Sequence, residues 1–90
     1  MEHERLHAAS LRAHDQALAV MRYLAEQCAA WPLLYGFVEA DVEGWNTMRD
    51  WERCAAFERT LRRVFLVAPW VLDKGRVRDA ARTLGLATLP

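Results

Sequence analysis

Residues 33–44, LLYGFVEADVEG, decide the fold class of this 90-residue chain. An apolar run followed by alternating acids fits either a brief helix or an extended segment, and its aromatic and branched residues favour a strand. A lone strand would find no pairing partner elsewhere in the sequence, and isolated strands are not stable in water. The stretch therefore reads as a short helix or a structured loop, and the chain as all-α.

On the N-terminal side, Glu4 to Ala30 reads as one long helix. Leu11, Leu18, Met21, Ala25 and Cys28 recur at spacings of three and four, Ala17 and Leu24 widen the stripe, and no Gly or Pro interrupts it. Pro32 cannot continue that helix and disfavours helical backbone at Trp31. On the C-terminal side, Asn46 or Thr47 offers an N-cap, with Thr47 and Asp50 at capping-box spacing, opening a second long helix that runs to about Val67. Its apolar positions are Met48, Trp51, Cys54, Ala55, Leu61, Val64, Phe65 and Ala68. Pro69 ends it. Asp73 then caps a final short helix in which Val77, Ala80, Ala81 and Leu84 share a face before Gly85 stops it. The expected architecture is a single helical domain over residues 1–90, a small bundle of two long antiparallel helices plus one or two short helices.

Composition narrows the function classes. Hydrophobic residues make up 53% of the chain, above the roughly 45–50% of ordinary soluble domains; an apolar surplus in so short a chain favours self-association or a partner groove. Net charge is zero but unevenly spread: residues 32–45 carry Glu39, Asp41 and Glu43 with no base, whereas residues 46–68 carry five arginines against three acids. Cys28 and Cys54 form neither a disulfide framework nor a zinc-ligand spacing. Val64 to Pro69, among the longest apolar stretches, is far short of the roughly 20 residues needed to cross a bilayer. The N-terminus is charged rather than signal-like. These features predict a cytoplasmic protein.

Four tryptophans mark the segment boundaries. Trp51 and Trp31 read as core, while Trp45 and Trp70 fall in connectors where full burial is harder. Trp70, Val71 and Leu72 form a run of large apolar residues, so Trp45, Trp70, Val71 and Leu72 are the candidate partner-binding residues.

The string His3-Glu4-Arg5-Leu6-His7 has the HExxH spacing of zinc peptidases. It lacks the third ligand such sites take from another element. His14 shares the helical face but sits about 10 Å further along the axis, out of reach of one ion in a straight helix. No metal site and no cofactor are expected. Nor does any nucleophile stand beside a base, Ser10 is the sole serine, and no glycine-rich phosphate loop occurs. The reading is that of a non-enzyme.

Val77, Ala80, Ala81, Leu84, Gly85 and Leu86, within residues 74–89, match small and apolar packing positions, and the segment resembles the first helix and turn of a helix-turn-helix of the Fis type. The sequence given ends at Pro90, where that family places its recognition helix. Nucleic-acid binding is thus the second reading, through phosphate contacts from Arg62, Arg63, Arg76, Arg78 and Arg82, with Arg59 and Lys74 beside them. The first reading is a protein-binding module, an adaptor, regulatory subunit or inhibitor that forms a homodimer and buries its tryptophans on a partner.

Overall fold

A computed structural model of the chain describes the backbone of residues 2–86 and the side chains of residues 11–86. Among the described residues four α-helices follow one another: α1, Glu2–Gln27; α2, Pro32–Gly44; α3, Asp50–Val67; and α4, Gly75–Thr83. Two 3₁₀ turns, Trp45–Thr47 and Pro69–Asp73, join α2 to α3 and α3 to α4. The all-α reading holds, and among the described residues there is no strand.

The helix ends are set by local chemistry. Leaving α1, the Cys28 N–H is shared between the Leu24 and Ala25 carbonyls, each at 3.1 Å, and Trp31 adopts φ −119°, ψ 89°, the non-helical backbone required before Pro32. Proline then occupies the first position of α2, where its missing N–H costs nothing. Residues 33–44 are helical throughout. Their inward stripe of Leu34 and Val38 is buried, and the Tyr35 hydroxyl donates to the Glu39 carboxylate one turn on, at 2.9 Å.

The start of α3 lies later than the sequence suggests. Thr47 does not cap it; its hydroxyl donates back to the Gly44 carbonyl at 2.8 Å and closes the 3₁₀ turn. The capping carboxylate is Glu52, which accepts from the Arg49 N–H at 2.9 Å. Asp73 likewise does not cap α4, whose N-cap is Lys74; its carboxylate takes Arg78 at 3.0 Å. Gly85 does end α4. At φ 75° it supports N–H bonds from Gly85 to Arg82 (2.9 Å) and from Leu86 to Ala81 (3.0 Å), the Schellman arrangement.

Contacts fix the directions of the helices. Asp41 of α2 meets Arg59 of α3, and Phe37 one turn earlier meets Arg63 one turn later, so α2 and α3 run oppositely. Near the start of α3, Asp50 lies 3.4 Å from His14 of α1. The end of α3 lies beside the start of α2, which follows the end of α1 by a four-residue turn. Hence α1 and α3, the two longest helices, run in the same sense, not antiparallel as the sequence reading had them. The reason is parity: residues 33–44 form the returning helix, so the next helix runs forward again.

The core lies between these three helices and is closed by the second 3₁₀ turn and α4. Met21, Leu24, Cys28, Val38, Phe57, Leu61, Val64 and Val77 are fully buried within it. The buried stripe of α3 is Ala56, Phe57, Thr60, Leu61 and Val64, which is rotated from the expected one. Trp51, Ala55 and Phe65 face solvent, and Leu11 of α1 is also exposed.

Candidate interaction surface

The tryptophans sort differently from expectation. Trp45 is a core residue, only 2% exposed: the 3₁₀ turn after Gly44 folds its indole inward. Arg53 secures the turn, with Nε donating to the Trp45 carbonyl at 2.9 Å and the guanidinium 6.0 Å from the ring centroid. Trp51, expected inside, is 67% exposed, because it lies on the side of α3 opposite the buried stripe of Phe57, Thr60, Leu61 and Val64. Trp31 is half-buried.

The run Trp70-Val71-Leu72 divides. Val71 and Leu72 are buried, because the 3₁₀ turn rolls them against the core, so they do not form an outward patch. Trp70 alone of the three points out, at 62% exposure. Of the four candidate partner-binding residues, then, the structure leaves Trp70 at the surface and takes Trp45, Val71 and Leu72 inside.

Outward-facing residues on α2 and α3 went unnoticed in the sequence. Leu33 is 83% exposed, Phe37 52% and Leu66 81%. The antiparallel register of the Asp41–Arg59 and Phe37–Arg63 pairs sets Leu33 level with the last turn of α3, and the Arg63 guanidinium stacks 4.2 Å from the Phe37 ring centroid. A signal was available: once residues 33–44 are read as helix, Leu33, Leu34, Tyr35, Phe37 and Val38 surround it with apolar groups, and one side must lack an internal partner.

The candidate phosphate-binding residues are split between two helices, and each is already engaged. Arg62 pairs with Glu58 and Arg63 with the Phe37 ring on α3. On α4, Arg76 lies 4.8 Å from the Tyr23 ring centroid, Arg78 binds Asp73, and Arg82 reaches Asp79 at 3.8 Å. Arg59 holds Asp41 at 3.4 Å, and Lys74 is exposed.

The side chains of His3, Glu4 and His7 lie outside the described residues, as do Ala87, Thr88 and Leu89 of the helix-turn-helix-like segment. His14 is buried; its Nε2 faces Asp50, and Nδ1 has no hydrogen-bond partner among the described residues. No group of three or more His, Cys, Asp or Glu able to hold a metal occurs among the described residues. Cys28 is fully buried and Cys54 half-buried, and burial pushes both thiols above their ordinary range, with Asp50 adding to the effect at Cys54. The Tyr35 phenol is raised by its hydrogen bond to Glu39 and then by that carboxylate's charge. Among the described residues no helix is long and apolar enough to cross a membrane.

Comparison with protein-family models, with curated proteins and with solved structures returns no match.

Proposed function

We propose that this chain is a small protein–protein interaction module, an adaptor, regulatory subunit or inhibitor that docks a partner through apolar side chains carried on the outside of a helical bundle. The observation that carries this reading is Trp70. Its indole is exposed while the next two residues, Val71 and Leu72, are pinned in the core, so the turn presents a large side chain with little backbone freedom left to lose on binding. Pre-organised aromatic anchors of this kind dominate protein interfaces. The candidate arginines are divided between α3 and α4, and the chain carries no net charge, which favours a protein partner over phosphate, with those cations serving as rim. A reducing cytoplasm accords with two unpaired cysteines.

The test is capture of partner proteins by the immobilised chain, with Trp70→Ala as control. Replacement should weaken association by more than about 1 kcal/mol, roughly fivefold, with helical content unchanged. Equal capture by the variant refutes the role of Trp70. Anisotropy of fluorescent duplex DNA at low and moderate salt tests the rival: binding that falls steeply with salt would transfer the function to phosphate recognition.

A further inference from the structure

The exposed apolar side chains of α2 are arranged as a helix-packing stripe. Leu33, Gly36, Phe37 and Ala40 recur at i, i+3, i+4 and i+7, all are exposed, and a Cβ built at Gly36 meets nothing within 4 Å. Small residues at Gly36 and Ala40 let another helix approach closely, and Leu33 and Phe37 give it apolar surface to cover. Beside this stripe, α3 presents Arg59, Arg62 and Leu66 outward at i, i+3 and i+7. Charge separates the two helices: α2 carries Glu39, Asp41 and Glu43 with no base, and α3 supplies the arginines.

That polarity selects among the ways two copies can stack face to face. A two-fold axis across the helices would lay α2 on its own copy in the opposite sense, leaving its acids facing a helix with no base. An axis along the helices, between α2 and α3, instead lays α2 of each copy over α3 of the other. Because residues level with one another in the antiparallel pair stay level under that rotation, Leu33 then meets Leu66, Glu39 flanks Arg62, and Glu43 approaches Arg59. Apolar contacts occupy one end and opposite charges the other.

We propose that the outer α2/α3 face is a self-association surface of this second kind, taking a second copy of the chain in a two-fold dimer. The inference rests on the reading that outward apolar groups here serve protein contact, and it assigns this face to the chain itself, leaving Trp70 to a partner.

Sedimentation velocity over a concentration series tests it. The parent should shift with concentration from 10.4 kDa toward twice that mass, and Leu66→Glu should weaken dimerisation at least about tenfold while circular dichroism shows unchanged helicity. Glu39→Arg alone should weaken the dimer by placing like charges together, and adding Arg62→Glu should restore it, because the swap exchanges both partners across the axis. A parent that stays monomeric throughout, a Leu66→Glu variant that dimerises like the parent, or a charge swap that fails to restore association overturns the proposal. Partner capture that depends on Trp70 but persists in Leu66→Glu would keep the interaction-module reading while this surface fails.

Discussion

Trp45 is where the structure makes its sharpest quantitative demand. The indole is enclosed by the core, its carbonyl is tied to Arg53, and its ring lies under the same guanidinium. Burying some 200 Å² of aromatic surface at about 25 cal/mol per Å² is worth roughly 5 kcal/mol. Truncations of buried Phe or Trp to Ala cost about 3–5 kcal/mol, so about 4 kcal/mol is expected for Trp45→Ala. A 90-residue domain has only about 5–14 kcal/mol in total. With an unfolding entropy near 0.19 kcal/mol/K for this length, the loss lowers the thermal midpoint by about 20 °C. Trp70→Ala, removing an exposed ring, should stay within about 0.5 kcal/mol, or about 3 °C. Thermal unfolding followed by far-ultraviolet circular dichroism compares the two directly. A Trp45→Ala midpoint within about 5 °C of the parent, or an equal drop for Trp70→Ala, refutes the assignment of one indole to the core and the other to the surface.

Two glycines should respond to alanine with opposite signs. Gly85→Ala forces a side chain into left-handed backbone and should cost about 1–2 kcal/mol, whereas Gly36→Ala, helical and unobstructed, should stabilise the monomer by about 0.5–1 kcal/mol; urea denaturation of both variants reads the difference. Thr60 buries a hydroxyl without a partner among the described residues, so Thr60→Val should raise stability by about 1 kcal/mol, and a loss of that size would show that the hydroxyl is bonded in solution. The Cys28 thiol is raised by burial, so its contribution to stability is complete below the ordinary thiol range and declines as pH rises toward the higher folded value. The chain should therefore weaken at alkaline pH, with a shallower decline in Cys28→Ala, and denaturant midpoints measured across that range would expose an unchanged slope.

What the sequence showed plainly was governed by local rules. The proline at 69 ends α3 and Gly85 ends α4 by backbone constraint rather than by packing, whereas α1 stops at Gln27, three residues short of the expected Ala30, and Pro32 instead opens α2. Met21 and Leu24 fell on the buried stripe because α1 is long enough for its period to be unambiguous, and Cys28 continues that stripe just past its end. The start of α3 was less legible. Thr47 and Glu52 both offer capping chemistry, and only the 3₁₀ turn at Trp45–Thr47, a tertiary outcome, decides between them. The helical period of α3 places Trp51 opposite the buried Phe57 and Val64. The 3₁₀ turn before it carries Trp45 inward. Trp70 was identified, but its neighbours were not separable from it by composition, since a 3₁₀ turn sends adjacent residues to different sides.

The uncovered face follows from the order of the helices. Packing against α1 and α3 occupies the Leu34 and Val38 side of α2, and an apolar residue on the opposite side needs a further layer. In this chain the elements after α3 do not supply it. Pro69 breaks the chain into a turn that packs on α3, and α4 goes on to α1, where Arg76 stacks on Tyr23. Both close the core from the side away from α2's outer stripe, so Leu33 and Phe37 are left to solvent or to another molecule. The break that buries Val71 and Leu72 is therefore the same event that strands the α2 surface and turns Trp70 outward. A chain whose helices needed only to pack together would have placed polar residues at 33, 37, 66 and 70. All four are large and apolar, and it is on them that the proposal of association rests.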